Sequence, residues 1–133
     1  MDIQLFIVPY DSGHLRWRCG GGPEHLLRAG LTVHLHRQGH LVRDIHVLED
    51  DPASKPGEIR TAFELARRLA AAVRRAHAAG HFSLVLGGNC NTAIGTLSGL
   101  APTAEPPSGS MLTGITTRLS RPRRVSWMGW VSP

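Results

Sequence analysis

Cysteine is nearly absent: Cys19 and Cys90 are the only two in 133 residues. Two thiols make neither a disulfide framework nor a zinc finger. No apolar run approaches the roughly 18 residues that a membrane-crossing helix needs, so no membrane partner is expected. Met1, Asp2, Ile3 and Gln4 lack the basic region of a signal peptide, which makes the cytoplasm the expected compartment. Lysine occurs once, at Lys55, although Lys and Arg together number 15 against 10 acids. The net charge of +5 is therefore carried by arginine. Such an Arg and Ala bias looks more like coding composition than binding chemistry. The one basic cluster, Arg118, Arg121, Arg123 and Arg124, follows the last acid, Glu105. A nucleic-acid footprint would want a clustered stripe, so no nucleic-acid partner is expected. With 41% hydrophobic and 19% charged residues, a long coiled coil and a highly charged disordered chain are both excluded. There is no internal repeat.

The apolar pattern fits an α/β order. Residues 3–8 are rich in Leu, Phe, Ile and Val, as in a buried strand of a parallel sheet. Residues 10–23 hold four glycines and no periodicity, which predicts a loop. Pro23 suits the start of a helix over about 23–29, with Gly30 as its stop. A second strand is expected over 40–48, carried by Leu41, Val42, Ile45 and Val47, and a linker over 53–57. The clearest element is a helix over 58–79. Ile59, Ala62, Phe63, Ala66, Leu69, Ala70, Val73 and His77 recur at three and four residues, which predicts its buried face. Glu64 and Arg68 form a favourable i,i+4 pair on it, and Gly80 ends it. A third strand over 82–86 runs into Gly87 and Gly88, and Asn91 or Thr92 can cap a helix reaching about Leu100. Residues 101–109 carry three prolines and predict a loop; 111–119 are ambiguous; 124–128 fit a short strand. The whole 101–123 stretch is expected to be loop-rich.

Ligands of open α/β sheets lie at the carboxyl ends of strands. Two loops leave such ends here. The first carries Asp11, Ser12, His14, Arg16, Arg18 and Cys19; the second carries Asn89, Cys90 and Asn91. Parallel strands would open both on one side. Gly87 and Gly88 lack the third glycine of a dinucleotide fingerprint and the Lys-Ser/Thr of a phosphate loop. Their plain reading is a tight turn with close packing. Three roles are open to Cys90: a metal-ligating thiolate, a nucleophile, or a small buried hydrophobe. Cys19 reads as a small residue in a packed loop. His34, His36, His40 and His46 invite a metal reading, but no H-E-x-x-H is present, and scattered histidines are mostly surface or packing residues. His77 and His81 suit a helix C-terminus. Trp127, Met128 and Trp130 read as a hydrophobic patch.

Taken together, the loops resemble a known family. Val8, Pro9, Tyr10, Asp11, Ser12 and Gly13, followed by Arg18, Cys19, Gly20, Gly21, Gly22, Pro23, Glu24, His25 and Leu26, are similar to the N-terminal segment of the arginase/agmatinase/formiminoglutamase (ureohydrolase) superfamily. The run from Leu84 through Gly87, Gly88, Asn89, Cys90 and Asn91 to Gly95 resembles the family's G-G-D-H-S block, which follows a strand and supplies a manganese-binding histidine. The resemblance covers about residues 3–100. It implies a three-layer α-β-α fold with a mostly parallel sheet in which the second, first and third strands lie side by side. It implies hydrolysis of guanidino or amidino C–N bonds with manganese or another divalent metal.

The departures bear on that chemistry. The family's aspartate falls on Asn89, its histidine on Cys90 and its serine on Asn91. Thiolate suits zinc better than manganese. Val125, Ser126, Trp127 and Met128 look like the family's next strand, but Gly129 and Val131 stand where D-A-H-x-D should begin. The later D-x-D ligands and substrate loops have no counterpart. Residues 1–133 thus resemble the N-terminal portion of an arginase-like domain, apparently truncated, with Cys90 the one metal-ligand candidate and no catalytic residue assigned. The expectation is an arginase-family protein, inactive as an isolated chain, with a small guanidino or amidino substrate if active. The alternative is a non-catalytic fragment or pseudo-enzyme subunit that packs against another chain or forms a homo-oligomer. A small nucleotide- or nucleic-acid-binding module is a third class that no feature favours.

Overall fold

Strand β1 (Asp2–Val8) lies at the centre of a three-stranded parallel sheet, between β4 (Leu41–Val47) and β5 (Phe82–Gly87). These are the second, first and third strands of the sequence reading, in the order the resemblance implies. This computed structural model describes residues 1–50 and 57–101. The expectations for the 53–56 linker, for 102–119, for the 124–128 strand and for the tryptophan patch lie outside the described residues.

A central parallel strand is covered on both faces, which is why β1 is apolar from Leu5 to Val8 with no polar residue between. Ile3, Leu5, Phe6, Ile7 and Val8 are all buried. Successive side chains of a strand point to opposite faces. Phe6 and Val8 join Leu65, Leu69, Ala72, Val73 and Ala76 of α3 (Glu58–Ala78) in one core cluster. Ile3, Leu5 and Ile7 point the other way. That side belongs to α1 (Gly22–Arg28), which touches β1 and β5, and α2 (Leu31–Arg37), which touches β4. The first crossover runs from β1 to β4 and the second back from β4 past β1 to β5; because they run in opposite directions across the sheet, right-handed connections put their helices on opposite faces. The result is the expected three-layer arrangement. The β1–β4 register skips Arg43, and the Arg43 guanidinium closes on Asp2 at 2.8 and 3.0 Å.

α4 (Thr92–Leu100) packs along α3. It does so through Gly95 and Gly99, where a Cβ would meet Ala66 O and Ala70 O at 2.8 and 2.7 Å. Helix backbones approach this closely only where side chains are missing.

Several expectations need correction. Residues 10–23 are not an unstructured loop: they contain a short antiparallel hairpin, β2 (Tyr10–Asp11) with β3 (His14–Leu15), and a 3₁₀ turn over Arg18–Gly21. Helix α2 was not foreseen. It buries no residue, and its apolar positions Leu31, Val33 and Leu35 alternate in the manner of a strand. The predicted face of α3 is right in its second half, at Leu69, Ala70 and Val73, and wrong in its first. Ile59 is 75% and Phe63 62% exposed, His77 is exposed too, and the buried line runs instead through Thr61 and Leu65. Neither Asn91 nor Thr92 caps its own helix through a side-chain bond to the first turn.

Candidate functional site

Parallel pairing brings the carboxyl ends of β1 and β5 side by side: Val8 pairs with Gly87. The loops that follow therefore meet, as the sequence reading expected. Gly88 is the point of contact. Its N–H donates to Val8 O at 3.1 Å, and a Cβ there would run into the Gly20 backbone and lie 2.7 Å from Tyr10 O. The plain reading of this glycine, close packing, is what the structure has. The first loop is held in three left-handed non-glycine conformations, Ser12, Arg16 and Arg18. Such residues cost free energy and persist where surroundings over-determine them. Arg16 shows how. Its N–H donates to Pro9 O at 2.6 Å, and its guanidinium reaches Glu24 at 2.7 Å and Glu49 at 2.6 Å. These bonds, to Glu49 first and Glu24 next, raise the Arg16 pKa further. The pairs are open to solvent, which screens them, so they add little to stability.

Across the loops, Asn89 Nδ2 donates to Asp11 Oδ1 at 3.2 Å, and Ser12 Oγ donates to the same oxygen at 3.3 Å. Asn89 Oδ1 accepts the Asn91 N–H at 3.0 Å and faces the Cys90 Sγ at 3.4 Å. Thr92 Oγ1 donates to Asn89 O at 2.9 Å, which fastens the turn to the start of α4. Cys90 itself is exposed. That removes the small-buried-hydrophobe reading, because a turn ahead of a surface helix gives position 90 nothing to pack under. Cys90 lies on an open groove of about 620 Å³ between β5 and α4, with Val85, Ala93 and Leu97. Cys19 is exposed as well, contrary to the packed-loop reading; the close approach belongs to its neighbour Gly20.

Of the other first-loop residues, His14 and Arg18 gather on Trp17, at 5.3 and 4.4 Å. His34 and His36 lie exposed on α2. His46 stacks on Phe6 at 5.3 Å and pairs with Asp44 at 3.1 Å. His77 is in the last turn of α3.

A second set of residues was not singled out from sequence. Tyr10 is buried, and its hydroxyl accepts the Asp50 N–H at 2.8 Å. Thr61, 2% exposed, donates to Asp50 Oδ2 at 2.9 Å. This belt joins the ends of β1 and β4 to α3. Beside it a cavity of about 40 Å³ is lined by Val8, Tyr10, Thr61, Leu65, Asn89 and Asn91. A threonine within an apolar helical face carries no signal of such a bond; only the fold supplies its partner.

No three His, Cys, Asp or Glu side chains are grouped to hold a metal ion among the described residues. Asp11 and Cys90 bring one carboxylate and one thiol, with neutral amides at Asn89 and Asn91 between and beside them. A pair of manganese ions needs several oxygen donors. These residues do not fit that centre.

The comparisons follow the same stretch of chain. A model of the arginase family matches residues 1–111. Arginase from Bacillus caldovelox is 33% identical over 107 residues, covering 74% of this chain and 36% of that protein. Arginase-1 from Oryctolagus cuniculus is 37% identical over 105 residues, covering 74% and 33%. The solved arginase from Bacillus cereus aligns with a TM-score of 0.63 at 28% identity, covering 75% of this chain and 35% of that one. The chain thus spans about a third of the length of the curated relatives it matches. Sheet order, the glycine contact between the two loops and the matched residues agree, and the chain belongs to the arginase family.

Proposed function

We propose that this chain carries the strand-end loops of an arginase-type hydrolase of guanidino or amidino C–N bonds and does not by itself turn over such a substrate. The observation behind this reading is the donor set. The loop after β5 presents Asn89, Cys90 and Asn91, and the loop facing it sets Asp11 against Asn89, with no group of three metal-ligating side chains among the described residues. Cys90 is the residue in the position of a family metal ligand, and its thiol favours zinc over manganese. With too few carboxylates to hold two ions or to activate a water between them, no hydrolytic step is assigned to these residues.

The test is direct. The purified 133-residue chain is assayed for urea or ammonia release from arginine, agmatine and formiminoglutamate with added manganese or zinc, and its mass is read under native conditions. No turnover and no stoichiometric metal are expected. Manganese-dependent product release by the isolated chain would refute the proposal.

A second reading, a subunit that packs against another chain or a second copy, is favoured by α4. The helix TAIGTLSGL has no charge, and its outward Ile94, Leu97 and Leu100 are exposed. An uncharged helix that exposes a row of large apolar side chains ordinarily meets a partner there.

A further inference from the structure

We infer that the two loops at the carboxyl ends of β1 and β5 are closed in this chain without a metal ion, by the Asp11–Asn89 hydrogen bond, and that the Asp11 carboxylate is what requires an amide at position 89. The inference rests on the placement of residues 87–91 in the family's metal-binding block. It concerns how that site is held together rather than what it hydrolyses.

The bond geometry fixes the chemistry. Asn89 Oδ1 is turned toward two donors, the Asn91 N–H at 3.0 Å and the Cys90 thiol at 3.4 Å. That leaves Nδ2 to point at Asp11, 3.2 Å from Oδ1. The amide cannot be flipped without setting its oxygen against a carboxylate and its NH₂ against two donors. An aspartate at 89 would have the same shape. Its first oxygen could still take the two donors. Its second would stand where Nδ2 now stands, at hydrogen-bond distance from the Asp11 carboxylate. Two ionised carboxylates that close require a proton or a cation between them. A bridging ion is one way to join two loops that each bring an acid; an acid facing an amide is the other, and it needs no ion. Ser12 Oγ, 3.3 Å from the same Asp11 oxygen, supplies a second neutral donor and completes that arrangement. The disagreement between these residues and a two-metal centre is thus more than missing ligands. The site has a different way of holding its two halves.

The experiment is thermal unfolding of the full chain in EDTA and in excess manganese(II), for wild type, Asn89→Asp and the double variant Asp11→Asn/Asn89→Asp. The wild-type midpoint is expected to be the same in both solutions. Asn89→Asp should lower the folding equilibrium constant about tenfold, the scale of one lost hydrogen bond plus a like-charge contact. The double variant restores an amide–acid pair with the partners exchanged and should recover most of that loss. If Asn89→Asp does not fold, a double variant that does supports the inference equally. A wild type that loses stability in EDTA or gains it with manganese overturns it. So does a double variant no more stable than Asn89→Asp. Turnover assays play no part in this readout, so hydrolysis by the isolated chain would sink the functional proposal and leave the clasp standing or falling on its own.

Discussion

At the scale of residues, the site end of the molecule depends on what is small or neutral. Gly88 has Gly20 and Tyr10 O where a side chain would be. Gly88→Ala should therefore cost about 3 kcal/mol or more, since the obstacle is backbone and cannot repack; a denaturant titration against wild type measures it. The two-loop meeting was legible in the sequence, because parallel strands force it. The Asp11–Asn89 bond was not, since nothing in either loop says which acid an amide will face across 78 positions. The same holds for Tyr10, Asp50 and Thr61, whose bonds join segments far apart in the chain. Exposure of Cys90 was equally unreadable: a cysteine looks the same in sequence whether the turn buries it or not.

At the scale of elements, α3 shows both what periodicity reveals and where it misleads. Length and end of the helix follow from its pattern and from Gly80, but the sequence offers two stripes. Ile59 and Phe63 score as core, whereas the line that meets β1 passes through Thr61, Leu65, Leu69 and Ala76. What decides is where α3 meets the sheet and α4, neither of which a single helix encodes. The exposed side of α3 was read correctly at Glu64. Its carboxylate accepts Arg68 Nε at 3.0 Å and also pairs with Arg67. The Arg68 hydrogen bond, then Arg67, hold the Glu64 carboxyl below the usual range. A carboxylate with a lowered folded value stabilises the fold above its unfolded value and loses that contribution as pH falls through the lowered one. Glu64→Gln should thus be less stable than wild type at neutral pH, with the gap closing on acidification below the ordinary glutamate range. Unfolding midpoints across that range check it, and added salt should narrow the gap at neutral pH as well.

At the scale of the whole molecule, the fold class was legible in the alternation of strands and helices, and the strand order in the resemblance to the family. What covers α4 and the outer edge of β5 was not. Leu97 is 67% exposed on an uncharged helix. If that face joins chains, Leu97→Asp should shift sedimentation toward monomer and remove the dependence of the unfolding midpoint on protein concentration; an association unaffected by the charge would place the contact elsewhere. The central position of β1 has a consequence for how the chain comes to be folded at all. This most buried strand precedes both of its partners, whose pairing begins only at Leu41 and Phe82. No hairpin can shelter it in the meantime, because parallel neighbours need long crossovers. Until Phe82–Gly87 has been synthesised, β1 has one unpaired edge and no settled α3–α4 cover, and closing such distant contacts is slow. The interval in which this protein is most open to aggregation is thus set by the distance from Val8 to Gly87, and a chaperone that holds extended apolar segments would find its substrate in the first strand made.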